Sequence, residues 1–285
     1  MNMKTEVERR RPSMDPTPWN YREPKLDLHH RYKGYVNEVK SLINAGMSIA
    51  RGKYSKPDSR FVIFGRERSG STLLVRYLDQ HSQIHCCGEI LRSRMLWPHG
   101  HRDRCLNAGT KPVRGFKLLS YQVTQVHGQR PDGGYLKRLS EEGFKVIYLH
   151  RDNYFRLAVS NIYARLRGAF HQEASRSAEA KRESFVFDPK VLVNWMEGAE
   201  LRTREELKLL EDVDFLEVEY ERDLSNQETH LRTLKRVFDW LEVEPEPLSL
   251  ALKRITPKRL DEIIENYDEV VEAVSKTRYE RFLEK

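Results

Sequence analysis

A glycine loop with an unusual pattern of cations follows the first strongly apolar stretch of the chain. Residues 61–72 read FVIFGRERSGST, which fits the phosphate-loop frame G-x-x-x-x-G-K-[ST] at both glycines and at the final hydroxyl. Ser71 stands where nucleoside-triphosphate sites carry a lysine that contacts the β and γ phosphates. The cations come earlier, at Arg66 and Arg68, and guanidinium groups are planar two-pronged donors. This loop predicts a site for a terminal anion that is not a polyphosphate.

The backbone of such a loop favours an anion whichever residue stands at position 71. FVIF reads as a buried strand, and STLLVRYLDQH has a helical period. A loop between a strand and a helix offers backbone N–H groups and the positive end of the helix to a phosphate. The alternative is a plain Gly-Ser turn between the two elements.

The loop resembles the element [KR]-S-G-[ST]-[ST] of the sulfotransferase superfamily, which binds 3′-phosphoadenosine 5′-phosphosulfate (PAPS). Five consecutive residues match that element in register: Arg68, Ser69, Gly70, Ser71 and Thr72. The resemblance implies that Arg68 contacts the 5′-phosphosulfate. It also implies that the backbone from Ser69 to Leu73 cradles this group, with PAPS as cosubstrate.

A second stretch, VIYLHRDNYFRLAVSN, resembles the 3′-phosphate element of the same superfamily. Arg151 ends the strand and Ser160 follows nine residues later, which is a good pairing of donors for a phosphate monoester. This spacing resembles the bacterial carbohydrate-directed branch. Residues 217–243 resemble the late strand, Tyr-Glu-x-x-Leu turn and following helix of the family. Residues 263–283 resemble the C-terminal segment of bacterial Nod-factor and glycolipid sulfotransferases. The Arg-Lys-Gly run that closes over the nucleotide in cytosolic animal enzymes is absent, and Lys258 or Arg259 is its candidate substitute.

Three residues are candidates for the chemistry that this resemblance implies. Sulfuryl transfer parallels phosphoryl transfer, so positioning and neutralisation of charge suffice without a metal. Arg68 is the first candidate to neutralise the leaving phosphate, and Lys117 in GFKLL is the second. Glu89 in HCCGEIL resembles the glutamate that deprotonates the acceptor in the carbohydrate-directed branch. The rival bases are three histidines: His81, His85 and His150.

The surrounding elements predict an α/β fold, a P-loop-like three-layer sandwich with a mostly parallel central sheet flanked by helices. The predicted strands are FVIF, RGFKLL, FKVIYLH and DFLEVEY, and helical stretches separate them. Residues 1–55 are expected to form a polar N-terminal arm and an amphipathic helix at 32–52, and residues 56–285 the sulfotransferase domain. That helix carries Val36, Val39, Leu42, Ile43, Met47 and Ile49, and it either caps the domain or meets a second subunit in a homodimer.

Two later helices are expected from their patterns. SNQETHLRTLKRVFDWL opens with a capping box, Ser225 and Glu228, and places Leu231 on its apolar face with Leu234. TPKRLDEIIENYDEVVEAV, residues 256–274, reads as one long amphipathic helix with Pro257 in its first turn.

Composition limits the class of protein. The 285 residues are 39% apolar and carry a net charge of +7 with a pI near 9.2, which favours an anionic partner. No zinc-finger spacing, aromatic RNA-binding signature or basic heptad region indicates nucleic acid. No apolar run is long enough to span a bilayer and no secretion signal is recognisable, so we expect a cytoplasmic protein. The three cysteines lack the spacing of a disulfide framework or a zinc site.

The sequence therefore predicts an enzyme that transfers a sulfuryl group from PAPS to a hydroxyl of a carbohydrate or glycolipid-like acceptor. Residues 90–112 and 168–188 are the segments expected to contact this small-molecule or glycan acceptor. Two alternatives remain. A non-catalytic regulatory protein would use the same loops only to bind a nucleotide, and a divergent P-loop kinase would bind ATP with Mg²⁺.

Overall fold

Five short strands form one parallel sheet. The structure is a computed structural model that describes residues 28–128, 134–167, 183–248 and 259–283. The strands are β1 (Ser59–Gly65), β2 (Ile84–Cys86), β3 (Val113–Leu119), β4 (Phe144–His150) and β5 (Phe215–Glu219). Their order is β2-β3-β1-β4-β5, and every neighbouring pair is parallel. The four predicted strands are confirmed as β1, β3, β4 and β5, while the three-residue β2 was not predicted.

Helices connect and flank these strands, as a parallel sheet requires. The α-helices of the described residues are α1 (Leu28–Ala50), α2 (Ser71–Gln80), α3 (Pro98–Asn107), α4 (Tyr135–Glu141), α5 (Tyr154–Leu166), α6 (Pro189–Leu209), α7 (Gln227–Leu241) and α8 (Tyr267–Ser275). Shorter pieces are the π-helical turns Gln122–Val126 and Tyr220–Leu224 and the 3₁₀ turns Leu260–Glu262 and Glu280–Phe282. No described helix has the length and apolar character needed to cross a membrane.

The chain forms two compact units. The described part of the larger unit comprises residues 28–128, 134–152 and 202–248, and it contains the whole sheet. The described part of the smaller unit comprises residues 153–167, 183–201 and 259–283, and it is mainly helical.

The larger unit has a separate apolar core on each face of its sheet. Successive residues of a strand point to opposite faces, so Phe61 and Ile63 enter one core while Val62 and Phe64 enter the other. The first core also takes side chains from α2 and α7, namely Leu74, Leu78, Leu234, Val237, Phe238 and Leu241. The second takes side chains from α3, α4 and the segment after α6, including Leu106, Leu136, Leu139, Leu210 and Val213. The predicted three-layer α/β arrangement is thus confirmed.

The smaller unit has its own core. The buried side of α5 supplies Leu157 and Ile162 among others, and these pack with apolar residues of two other segments. Those partners include Phe187, Leu192, Met196, Ile263, Val270 and Phe282.

The C-terminal region is not the single helix that its pattern predicts. Residues 256–258, including Pro257, lie outside the described chain. Beyond them, a 3₁₀ turn and α8 are separated by residues 263–266. Ile264 forms a parallel bridge with Phe185, and the Asn266 side chain bonds both the N–H and the carbonyl of Phe187 at 2.9 and 2.8 Å. Pairing with this distant segment replaces the helical hydrogen bonds there.

Helix α1 packs with an unexpected side. Its buried residues are small or polar, Gly34, Glu38, Ser41 and Ala45, whereas Val39, Leu42, Ile43, Met47 and Ile49 are exposed. The two carboxylate oxygens of Glu38 accept hydrogen bonds from the N–H groups of Leu96 and Trp97, at 3.1 and 2.7 Å. A helix is present at the expected positions, but its apolar side is not the side that packs on the rest of the larger unit.

Candidate functional site

The glycine loop connects β1 directly to α2. A Cβ on Gly65 would lie 2.0 Å from the carbonyl oxygen of Leu149 on the neighbouring strand β4, so only glycine fits there. Gly70 adopts φ 89°, in the left-handed region, and a Cβ on it would meet the Tyr220 ring at 2.6 Å. These close approaches turn the chain so that α2 begins at Ser71. The first N–H groups of a helix lack an intrahelical acceptor four residues earlier and can bind an anion. At the start of α2, however, the Leu73 N–H donates to the Gly70 carbonyl at 2.9 Å.

Arg68 occupies a strained position within this loop. Its φ of 64° is left-handed, which is unusual for a residue with a side chain. Burial and the neighbouring guanidinium of Arg151 both lower the pKa of Arg68. An arginine stays protonated even so, and two like charges held together at a partly buried place create a field that favours a bound anion.

Arg151 is oriented by two residues of the turn after β5. Its Nε donates to the Glu221 carboxylate at 2.7 Å, and its guanidinium carbon lies 4.6 Å from the centre of the Tyr220 ring. Its Nη1 donates to the carbonyl oxygen of Arg68 at 3.5 Å. Arg151, which directly follows β4, therefore lies next to the glycine loop. Tyr220 and Glu221 were recognised in the sequence only as part of a fold signal.

A buried carboxylate holds the turn that carries Tyr220 and Glu221. Asp223 accepts hydrogen bonds from the N–H of Glu219 at 2.9 Å and from Arg222 at 2.8 Å. Burial alone would raise the pKa of Asp223, but these hydrogen bonds and charges outweigh it and lower the pKa. The turn is thus fixed by a charged group with several donors.

Arg66 points to a different partner from Arg68. Its Nη2 lies 2.7 Å from the carboxylate of Glu206, which is fully buried, and 2.7 Å from the Thr203 hydroxyl. Tyr148 also donates to Glu206, at 3.0 Å. This group links the glycine loop to α6 and β4. No local pattern indicates it, because Glu206 is 140 residues from Arg66.

Glu89 and Lys117 form an ion pair beside the loop. Lys117 Nζ donates to Glu89 Oε1 at 2.8 Å, and Gln122 Nε2 donates to Glu89 Oε2 at 3.0 Å. Lys117 is buried within β3, next to Ile63 of β1. The chain after β2 stays paired with β3, because Lys117 N–H donates to the carbonyl of Gly88 at 2.9 Å. That pairing brings Glu89 to Lys117.

The rival histidines have other partners. His81 forms a hydrogen bond with the backbone carbonyl of Glu244 at 2.8 Å. His85 and His150 form hydrogen bonds with carboxylates, those of Asp79 at 2.7 Å and Glu217 at 3.1 Å. His81 is fully buried against Phe238. These contacts favour structural roles for His81 and His150, and leave His85 beside Glu89 at the edge of a cleft.

Three further residues are predicted for the site from the sequence: Ser160, Lys258 and Arg259. Ser160 is a buried residue of α5 in the smaller unit. Arg259 is exposed and pairs with Asp261 at 2.5 Å, while Lys258 lies outside the described residues.

Neither a metal cluster nor a reactive thiol is evident in the described chain. No group of three or more His, Cys, Asp or Glu side chains there is arranged to hold a metal ion. The three cysteines are free thiols. Burial raises the pKa of Cys86 and Cys87 to about 12 and that of Cys105 to about 11, so all three are neutral at physiological pH.

Comparisons with known proteins were made for sequence and for fold. No protein-family model matches the chain, and no curated protein sequence matches it. A sulfotransferase from Alicyclobacillus acidocaldarius resembles it with a TM-score of 0.46 and 15% identity, over 78% of this chain and 94% of that one. The sulfotransferase domain of the Synechococcus PCC 7002 olefin synthase gives a TM-score of 0.36 and 18% identity, over 67% of this chain and 76% of that one. Likeness at this level does not assign an activity.

Proposed function

We propose that this protein is a PAPS-dependent sulfotransferase acting on a hydroxyl of a carbohydrate or glycolipid-like acceptor. One observation carries the proposal. Arg151 bonds the backbone carbonyl of Arg68 in the glycine loop, and the charge of Arg151 lowers the pKa of Arg68. Lys117 of the adjoining strand β3 pairs with Glu89, which follows β2. An anion site and a carboxylate base at the same edge of a parallel sheet are the two parts that the reaction needs.

The nucleotide is bound through its two phosphate ends. Arg68 and the backbone of Ser69–Leu73 hold the 5′-phosphosulfate, and Arg151 holds the 3′-phosphate. Two features support this assignment: the lowered pKa of Arg68, and the fixed orientation of Arg151 by Glu221 and Tyr220. A doubly anionic nucleotide would relieve the repulsion between the two guanidinium groups.

Arg66 positions the glycine loop and does not contact the nucleotide itself. The loop sequence predicts that Arg66 binds the cofactor directly. Its side chain is held by Glu206 and Thr203, so we assign it to positioning the loop. A buried ion pair with extra hydrogen bonds keeps the backbone of the strained loop in one conformation.

Sulfuryl transfer then proceeds in line. The acceptor oxygen forms a bond to sulfur while the bond between sulfur and the bridging phosphate oxygen breaks. The electron pair leaves with 3′-phosphoadenosine 5′-phosphate, and the acceptor proton passes to Glu89. Arg68 neutralises the leaving phosphate, and Lys117 orients Glu89 and faces the transferred group. Because side chains carry the charge, the reaction needs no metal.

Calorimetric titration with 3′-phosphoadenosine 5′-phosphate, with and without Mg²⁺, tests the proposal. We expect metal-independent binding that weakens roughly 10- to 100-fold in Arg151→Ala, the effect of losing a charge-assisted contact. The matched control is Arg232→Ala, which removes an exposed arginine from α7 and is expected to change nothing.

The same titration separates the alternatives. Preference for Mg-ATP over the bisphosphate supports a P-loop kinase and overturns the proposal. Tight bisphosphate binding without sulfate transfer to any acceptor supports a regulatory nucleotide-binding protein. Binding that is equal in Arg151→Ala and the wild type contradicts the assignment of the 3′-phosphate site.

A further inference from the structure

A cleft opens beside Glu89, between the first helix and α3. Its volume is about 590 Å³, within the range of small-molecule pockets. One wall is the polar side of α1 and the residue after it, the second is α3, and the inner end is the chain after β2 with Glu89. Part of the segment 90–112, expected from the sequence to contact the acceptor, thus lines this cleft. All of these parts belong to the larger unit.

The cleft carries an excess of positive charge. Lys40, Arg51 and Arg104 line it, and Glu89 is the one carboxylate among its described lining residues. Glu89 is already paired with Lys117. None of the three lining cations pairs with a carboxylate within the part of the chain that the structure describes.

One of these cations is held in place by neutral groups. Arg104 Nε donates to the Ser41 hydroxyl at 2.9 Å, and its guanidinium carbon lies 5.5 Å from the centre of the Trp97 ring. Both contacts fix the direction of the guanidinium and leave its charge uncompensated. A cation that is oriented before the ligand arrives loses less entropy on binding.

The acidic residue of α1 forms no ion pair with these cations in the part of the chain that the structure describes. Glu38 is the one acidic residue between positions 28 and 50, and its carboxylate accepts two backbone N–H groups from Leu96 and Trp97. These hydrogen bonds attach α1 to the segment before α3. The helix therefore presents Lys40 to the cleft without an acidic partner.

We infer that the acceptor is an acidic polyhydroxylated molecule, whose carboxylate or phosphate binds Lys40, Arg51 and Arg104 while one of its hydroxyls faces Glu89. The inference rests on the proposed function for the role of that hydroxyl. The anion contact stands on the cleft alone. Its three cations would select an acidic sugar over a neutral one of the same shape, because each charge contact adds to the difference in affinity.

Three sugars test the inference by calorimetry on the full chain, without nucleotide. Methyl glucuronide carries a carboxylate, glucose 6-phosphate carries a phosphate, and methyl glucoside is neutral. We expect at least one acidic sugar to bind about fivefold or more tightly than the neutral sugar. The acidic sugar that binds better identifies the acid group.

Substitutions at the wall of the cleft locate the contact. Lys40→Gln and Arg51→Gln remove exposed cations, and each is expected to weaken binding of the acidic sugar about fivefold without affecting methyl glucoside. Lys33→Gln is the matched control, because it removes an exposed lysine of α1 that does not line the cleft. Its affinity is expected to stay within about twofold of the wild type.

Two results overturn the inference. One is that neither acidic sugar binds more tightly than methyl glucoside. The other is that Lys33→Gln weakens binding as much as Lys40→Gln, which would indicate only a general effect of net charge. Titration of the same samples with 3′-phosphoadenosine 5′-phosphate reports on the proposed function separately. Loss of nucleotide binding with a retained preference for acidic sugars would contradict the function and keep the acidic-ligand site.

Discussion

At the scale of single residues, Glu89 is the group whose change separates chemistry from binding. Glu89→Gln keeps the shape of the side chain but cannot accept the acceptor proton. We expect kcat to fall roughly 10²- to 10⁴-fold, the usual contribution of a general base. Affinity for 3′-phosphoadenosine 5′-phosphate should stay within about twofold. The measurement is the release of this product from PAPS with whichever test sugar the wild type uses faster.

The control for that change is Glu211→Gln, which alters an exposed glutamate elsewhere in the larger unit. Its turnover should match the wild type. Equal turnover in Glu89→Gln and Glu211→Gln would remove Glu89 from the mechanism. A parallel loss of nucleotide affinity in Glu89→Gln would indicate structural damage.

The buried pair of Arg66 and Glu206 predicts a large effect on stability. Glu206→Ala leaves the Arg66 charge buried and without this carboxylate, and it also removes the acceptor of the Tyr148 hydroxyl. We expect the free energy of unfolding to fall by about 3–5 kcal/mol, measured with urea. Lys137→Ala removes an exposed pair with Asp212 at 3.2 Å and should cost less than about 1 kcal/mol. Similar costs in the two variants would contradict a structural role for the buried pair.

The sequence was informative about this site where the chemistry is local. The glycine loop, Arg68 and Arg151 could be found because each directly follows an apolar strand. The residues that hold these side chains in place could not be predicted from the sequence. Glu206, Glu221 and Gln122 lie between 33 and 140 residues from the groups that they hold, and nothing in their local patterns distinguishes them from surface residues. Which partners meet depends on the order of the strands.

At the scale of elements, two glycines of α1 offer a matched test of its packing. A Cβ on Gly34 would lie 1.8 Å from the carbonyl oxygen of Arg94, whereas a Cβ on Gly46 meets nothing within 4 Å. We expect Gly34→Ala to lower the free energy of unfolding by about 1–3 kcal/mol through overpacking. Gly46→Ala should raise it by up to about 1 kcal/mol, because alanine favours the helix. Urea unfolding of both variants provides the measurement.

The opposite ranking would mean that α1 does not pack through Gly34. If both substitutions raised the free energy of unfolding equally, Gly34 would not be in contact with Arg94. Gly34→Ala should also change the cleft, since it would displace Lys40 together with the helix.

Strands and helices were predicted well where the buried residues follow the apolar period of the sequence. They were predicted poorly where contacts with distant residues determine the helix start or the buried face. The strands β1, β3 and β4 are long apolar runs, and each was confirmed. In α7, the capping residue is Asn226, whose side chain accepts from the N–H of Glu228 at 3.3 Å, while Ser225 donates to the carbonyl of Glu221. Leu231, expected on the packed face of α7, is 68% exposed. The capping residue thus lies one position later than the sequence pattern predicts, and the pattern also misassigned Leu231 to the packed face.

At the scale of the whole molecule, the parallel sheet explains why the candidate groups lie together. The glycine loop follows β1, Arg151 follows β4, and the turn with Glu221 follows β5. Carboxyl ends of parallel strands meet at one edge, so residues far apart in sequence come together there. Glu89 joins them because the chain after the short strand β2 stays paired with β3.

The buried thiols and the buried tyrosine of the larger unit predict how its stability depends on pH. Burial raises the pKa of Cys86, Cys87 and Tyr135 to about 12 and that of Cys105 to about 11, above the ordinary values of 9.0 for a thiol and 10.0 for a phenol. Between pH 9 and 11 the unfolded thiols lose protons that the folded ones keep. The unfolded state then binds fewer protons, so the free energy of unfolding falls as pH rises.

Urea unfolding under reducing conditions at pH 7, 9, 10 and 11 measures this slope, to which each thiol contributes at most about 1.4 kcal/mol per pH unit. Cys105→Ala removes one of the titrating groups and should give a shallower fall than the wild type. Ser48→Ala, at a neighbouring position of the cleft without a titrating group, should keep the wild-type slope. Identical slopes in the wild type and Cys105→Ala would mean that the Cys105 thiol is open to solvent. Alkaline stability would then have to depend on other groups, because a thiol that ionises equally in both states contributes nothing to the slope.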